Sequence, residues 1–370
     1  MYTFKLSEQF IPEKEREIFR DFLQFYGIDE GIWKIFECLF NAKTKGTIPL
    51  LLRVYENSDL AAATVIIRCS KYGRSLYDNR LMAGFCDLLQ IPFYLWIKFG
   101  CCMDMMSNPG FVRDPSKSNL IYGTIADYLG KHSWMTMIND YTMNSVLYPN
   151  AVALPALPHA LIDTSAMTDI SEYIRLHKNV KRKYQIFKQN GGTFHIVHNA
   201  LETQDIQSLK KCFISTAEKS VFYLPYEDLY LSSALLTSST PINNVIYFIA
   251  RLNGEFIGYQ AALRTGECLN ALHGAFDRTL PTTYHAYDLL FVEMTRYAIE
   301  HNLKLIDLGA VLNTTKQRMV NCSRPMSYFM LSRRPIIRWI FYMITKHSKI
   351  QGQDQMRFYL EDKAEKGSLQ

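Results

Sequence analysis

Residues 244–331 constrain the fold most, because one local turn sets the order of the elements around it. Asn253-Gly254 separates two β-rich runs, Val245 to Leu252 and Glu255 to Arg264. Both turn residues tolerate positive φ, so the pair predicts a type I′ hairpin. A third strand follows the Thr265-Gly266 turn. Tyr287, Leu290, Phe291, Met294, Tyr297 and Ala298 then recur at helical spacing, so the run from Ala286 to His301 should bury one face against a sheet. Leu303 to Leu308 is a short apolar strand. The order is strand, strand, strand, helix, strand, and the crossover helix makes the last two strands parallel.

The first half of the chain echoes that order. Ile48 to Tyr55 and Ala61 to Cys69 form a hairpin around Asn57-Ser58-Asp59, and Pro92 to Phe99 supplies a third strand. Asn119 to Leu129 follows as a helix and Trp134 to Ile138 as a strand. Glu13 to Phe40 reads as two helices, Leu76 to Leu89 is ambiguous, and Met103 to Lys117, with Asn108-Pro-Gly110, is a loop. Pro149, Pro155 and Pro158 mark a packed connection into the second half. With 370 residues, two domains are the default. The expected divisions are 1–165, 166–350 and a polar tail, 351–370, within an α/β (α+β) fold class in which mixed, mostly antiparallel sheets are flanked by helices.

Asp169-Ile-Ser-Glu172 has the arrangement of a capping box, with Asp in the capping position. The helix it opens is expected to run to Asn190, where Gly191-Gly192 offers a left-handed stop. Ile170, Tyr173, Ile174, His177, Val180, Tyr184 and Phe187 share one face. Lys178, Lys181, Arg182, Lys183 and Lys188 occupy the other. That basic face is open to three readings: a solvated surface, a dock for an acidic carrier protein, or a contact for a tRNA backbone. No aromatics interleave with it, which disfavours single-stranded nucleic acid. Ile206, Leu209, Phe213 and Ala217 mark a further helix. Beyond Pro335, Ile336, Ile340 and Ile344 are expected to close a core, the alternative being a short amphipathic segment making weak contact with a membrane surface.

The order of elements, with particular residues, resembles the GNAT superfamily of acyltransferases, and within it the BioF2-like or cellulose-biosynthesis-protein branch related to the Fem peptidyltransferases. The matching residues are Lys178 to Lys183 leading to Gly191-Gly192, then Ala250 to Tyr259, Gly274-Ala-Phe-Asp277, Tyr297 to Glu300, Asp307-Leu-Gly309, Lys316, and Tyr328 to Pro335. They cover about residues 169–335. The resemblance implies two GNAT-like domains in tandem, as in Fem-type proteins. It implies an acyl-CoA or phosphopantetheine thioester as co-substrate, its arm lying where the third and fourth core strands splay apart. The donor's phosphates would meet the next helix N-terminus, about Thr283 to Asp288. The superfamily's Arg/Gln-x-x-Gly-x-Gly/Ala loop is absent there, and Thr282-Thr-Tyr-His-Ala-Tyr-Asp288 stands in its place. Ala275, Phe276, Thr283 and Tyr287 are the expected donor-binding positions, and Lys316 and Arg318 are candidates to hold phosphate or carboxylate.

Acyl transfer to an amine requires a base and a group that stabilises the oxyanion or protonates the leaving thiolate. Asp307, ending a buried strand beside the expected splay, is the first candidate base; its alternative role is to cap the turn at Gly309. His273 on the preceding strand is the second. Tyr284 is a candidate acid, and Tyr287 fits either that role or the apolar helix face. No Ser-His-Asp order or activated-cysteine pattern stands out, so the acceptor is expected to attack directly.

The expected reaction is therefore N-acylation of a small-molecule amine from CoA or an acyl carrier protein. A Fem-like tRNA-dependent aminoacyl transferase and a non-catalytic binding protein on the same fold are the alternatives. Forty-eight per cent hydrophobic and 21% charged residues describe a folded chain, and a net charge of +6 does not by itself imply nucleic acid. Eight cysteines without a Cys-x-x-Cys pair argue against a zinc site or a disulfide framework, so no metal and a reduced cytoplasmic location are expected. No apolar run reaches the ~18 residues of a spanning helix, and no secretory signal is visible at the N-terminus.

Overall fold

A computed structural model describes residues 2–8, 47–69, 93–97, 111–112, 114–132, 136–140, 151–177, 179–218, 244–281, 286–310 and 314–347. These divide into two compact units, the first drawn from residues up to 158 and from 324 onward, the second from 159–323.

In the first unit, strands β1 (Tyr2–Ser7), β2 (Thr47–Glu56), β3 (Asp59–Cys69) and β4 (Phe93–Ile97) run antiparallel to their neighbours. The short β5 (Phe111–Val112) pairs with β3. Helix α1 (Ser118–His132) then crosses to β6 (Thr136–Asp140), which lies parallel to β4. Asn57 and Ser58 both have positive φ, as a tight two-residue hairpin turn between twisted strands demands. Leu50, Leu52, Val54, Ala62 and Ile66 of the sheet bury against Ile121, Ile125 and Leu129 of α1.

The second unit repeats this order. β8 (Gly192–His198), β9 (Val245–Leu252), β10 (Glu255–Thr265) and β11 (Cys268–Phe276) are successively antiparallel, α5 (Ala286–Glu300) crosses over, and β12 (Leu305–Ala310) is parallel to β11. Asn253 and Gly254 take the positive φ values of the predicted turn, 51° and 85°. Three more helices precede these strands or lie between them: α2 (Ile170–Leu176), α3 (Val180–Gln189) and α4 (Thr203–Glu218). Asp169 and Glu172 complete the capping box. The expected single helix to Asn190 is broken at His177 to Asn179, giving α2 and α3. α5 buries more than the one face its periodicity marks: Leu289, Val292 and Thr295 are also buried, because α2 and α3 pack on it along with the sheet.

Each unit gains a further strand that local pattern does not reveal. β7 (Val152–Asp163) pairs antiparallel with β12 in the second unit, and β13 (Cys322–Leu331) pairs antiparallel with β6 in the first. β7 thus gives residues 159–163 to the second unit, and β13, late in the sequence, gives residues 324–331 to the first. The units consequently differ from the expected division at residue 165: residues 159–163 group with the second, while β13 and the final helix, α7 (Pro335–His347), group with the first. α7 also corrects the core-closing expectation, since Ile336 is exposed and Ile340 only half-buried, while Ile337 is buried. The expected helices in 13–40, the ambiguous 76–89, the first part of the expected loop 103–117 and the tail 351–370 lie outside the described residues; the rest of that loop is corrected, since Phe111–Val112 pairs with β3 and Pro115–Lys117 forms a single 3₁₀ turn.

Candidate active site

The second unit opens its sheet at one point. β11 and β12 pair only through Cys268↔Leu305, Leu269↔Ile306 and Asn270↔Asp307. Beyond that rung β11 continues for six residues and β12 for three, so the two strands part. Both change course there. β11 carries a bulge, with Ala261 opposite His273 but Ala262 opposite Ala271, leaving Leu272 as the extra residue. β12 shifts register against β7 between Asp307 and Ala310, at Gly309, whose φ of 71° favours glycine.

The edge that β12 leaves is a strand edge with directed backbone groups. Asp277 N–H donates to Ile257 O at 2.7 Å, so Phe276, one residue earlier, turns its N–H and C=O away from β10. Both are taken by the Thr216 hydroxyl of α4, which accepts from Phe276 N at 3.2 Å and donates to Phe276 O at 3.0 Å. By the alternation of the strand, Gly274 turns its N–H and C=O to the same edge. A Cβ at Gly274 would lie 2.0 Å from Gln260 Oε1, so glycine is what lets Gln260 pack across the strand.

Polar side chains gather around the divergence. Asp307 is fully buried; its Oδ1 accepts from Gly309 N–H at 2.8 Å, and its Oδ2 lies 3.1 Å from His159 Nδ1. Asp307 therefore does cap the turn, and it also holds a histidine from β7. The Tyr259 hydroxyl lies 2.7 Å from Nδ1 of half-buried His273, whose ring is 4.7 Å from that of Phe213 on α4. Helix α6 (Thr314–Met319) brings in Lys316, whose Nζ donates to Leu308 O at 2.5 Å. Burial lowers the Lys316 ammonium to about 8, against the upward pull of Asp307. Burial likewise lowers His273 to about 4, with the Lys316 charge adding to it. At neutral pH the site therefore presents a neutral imidazole and a largely protonated ammonium.

Ala275 is buried, Phe276 meets the tilted Tyr287 ring at 5.4 Å and the Arg278 guanidinium at 4.8 Å, and Tyr287 meets Phe291 at 4.9 Å. Arg318 is exposed on α6. Thr283 and Tyr284 lie outside the described residues. Asp288, in the first turn of α5, is ion-paired with Lys183 of the basic helix face, so that lysine is not merely solvated. His159, Tyr259 and Thr216 were not singled out by the sequence. Only the histidine carried a signal, as a titratable residue at the end of a proline-rich connection. Cys268 and Cys322 form no disulfide among the described residues, and the Cys268 thiol donates to Asn270 Oδ1 at 3.5 Å. Among the described residues no group of His, Cys, Asp and Glu is placed to hold a metal ion.

Residues 175–316, spanning α3 to α6 with the divergence near the end, match the family described as an acetyltransferase (GNAT) domain. This segment is a GNAT acetyltransferase domain. The same strand order recurs among the described residues of the first unit, so the fold is that of two GNAT-like units in tandem. Solved structures of similar fold include L-PGS from Bacillus licheniformis, at 13% identity over 90% of this chain and 97% of that one, with a TM-score of 0.52. The C-terminal domain of a putative lysylphosphatidylglycerol synthetase from Agrobacterium fabrum is similar at 12% identity, 87% and 97% coverage and a TM-score of 0.52. FemX is similar at 10% identity, 93% and 100% coverage and a TM-score of 0.53. These are likenesses of fold. No curated protein sequence matches the chain.

Proposed function

We propose that the GNAT domain is an N-acyltransferase that moves an acyl group from a CoA or acyl-carrier-protein thioester to the amine of a small acceptor. The observation that carries this reading is the parting of β12 from β11 beyond Asn270, which leaves the edge at Gly274 without its neighbouring strand. A pantetheine arm contains two amides, and an extended amide chain finds partners along an open strand edge. The Gly274 N–H and C=O supply them, with Ala275, Phe276 and Tyr287 forming the apolar wall and the exposed Arg318 contacting the donor's phosphates.

In this reading the acceptor nitrogen attacks the thioester carbonyl directly. The C–N bond forms, the carbonyl oxygen takes negative charge opposite the Lys316 ammonium, and His273 accepts the amine proton. The C–S bond then breaks, and the departing thiolate takes the proton back from the His273 imidazolium, which returns to its neutral form. Asp307 acts as a positioning residue through Gly309 and His159, and Tyr259 orients the His273 ring.

The test is release of free thiol that depends on added amine, followed with a thiol reagent over a panel of CoA and carrier-protein thioesters. No release with any of them sinks the proposal. Binding of CoA without turnover would instead favour a non-catalytic protein on this fold. A second reading, aminoacyl transfer from charged tRNA as in Fem-type proteins, draws support from the exposed Lys181, Arg182 and Lys188 on α3. Sensitivity of the activity to ribonuclease separates it from the first.

A further inference from the structure

α7 turns apolar residues outward. Ile336, Trp339, Tyr342 and Met343 are 60%, 58%, 53% and 36% exposed, whereas Ile337 is buried. Ile336, Trp339 and Met343 fall within about 60° of arc at the α-helical repeat, so they form a stripe along the helix. The other large exposed hydrophobics among the described residues, Ile48, Leu120, Ile196 and Ile214, stand singly on separate elements. A contiguous exposed stripe of this kind marks an interaction surface.

Charge identifies what fits it. From Arg324 to Gln353 the sequence has no Asp or Glu and six Lys or Arg. Arg333 and Arg334 are exposed at the start of α7 and Arg338 is half-buried one turn on. Arg333 also donates to Lys131 O at 2.6 Å, which ties this end of the helix to α1. We infer that α7 docks the protein on the surface of an anionic lipid bilayer. Its Trp and Tyr suit the headgroup boundary, its aliphatic residues the acyl region, and its arginines the lipid phosphates. At 13 residues the helix is about 20 Å long, too short to cross the ~30 Å hydrocarbon core, so it lies in the plane. A second copy of the chain is a poorer occupant, because a self-complementary pairing would bring the same arginines together.

The test is sedimentation of the full-length protein with vesicles of phosphatidylcholine alone and of phosphatidylcholine mixed with phosphatidylglycerol. Binding is expected only to the mixed vesicles, weakening at least tenfold from low to high salt as screening removes the electrostatic part. The triple substitution Ile336→Ser, Trp339→Ser, Met343→Ser, at exposed positions remote in sequence from the acyl-transfer residues, should reduce binding about tenfold or more with thiol release unchanged. Trp339→Phe should keep binding but abolish the blue shift of tryptophan emission on vesicle addition. Equal binding to neutral vesicles, no binding at low salt, or undiminished binding of the triple variant would each overturn the inference. So would a dimer without vesicles that the triple variant dissociates, since the stripe would then belong to a second copy.

Discussion

His159 Nδ1 and Asp307 Oδ2 lie 3.1 Å apart, both buried, although 148 residues separate them in the chain. The contact fastens β7 to β12 where β12 leaves β11, so it holds one wall of the proposed acyl slot. Removing one partner leaves the other polar group buried without its bond, at a cost of about 3 kcal/mol. Asp307→Leu should therefore be strongly destabilising in urea denaturation, and His159→Phe in the Asp307→Leu background should restore part of the loss. Strict additivity in that cycle would mean the contact contributes no coupling energy.

Lys316 should give the proposed reaction an alkaline limb. Its protonated form predominates below about 8, so turnover that relies on the ammonium falls as pH rises through that value. Lys316→Met should lower kcat about a hundredfold at neutral pH. Lys316→Arg, which keeps its charge at all accessible pH, should shift or remove the alkaline limb. A wild-type rate that is flat across pH 8 would exclude the ammonium from the rate-determining step.

His273 links the site to stability in acid. Its folded-state value near 4 lies below the ordinary imidazole value of 6.5, so the unfolded chain binds the proton more readily, and stability is lost as pH falls from about 6.5 to 4. His273→Gln removes this linkage. The Tm advantage of wild type over the variant should shrink across that window, and a constant difference between pH 7 and pH 4 would contradict the assignment.

Gly274 admits the side chain of Gln260 over its backbone. Gly274→Ala places a methyl 2.0 Å from Gln260 Oε1 and should cost about 1–3 kcal/mol as the buried amide is displaced. Pairing it with Gln260→Ala should relieve most of that loss in thermal unfolding. Failure of the double variant to recover would show that the strain lies in the strand backbone.

Much of the second unit was legible locally. Asn253-Gly254, the Asp169 to Glu172 capping box and the periodicity of 286–300 each specify their structure within a few residues, and all three fold as read. What the sequence hid is long-range. β7 contains Pro155 and Pro158 and β13 contains Pro325, and proline argues against a strand unless the missing N–H faces an unpaired position. The break between α2 and α3 is invisible because Ile170, Tyr173, Ile174, His177, Val180, Tyr184 and Phe187 keep helical spacing across it. Asp307 was readable as a buried carboxylate at a strand end. Its partner His159 was not, because register between strands so distant in sequence is set by the sheet rather than by the neighbouring residues.

The crossed ownership of β7 and β13 sets an order on biosynthesis. β6 ends at Asp140 and its neighbour is complete only at Leu331, 191 residues later (331 − 140), which at ribosomal speed is a wait of roughly 10 to 40 s. Throughout that interval the half of the protein made first keeps a naked sheet margin available to any passing extended peptide. Translation pauses or nonsense mutations between those points would therefore release a nascent chain prone to aggregate, and the half made first is the last to be finished.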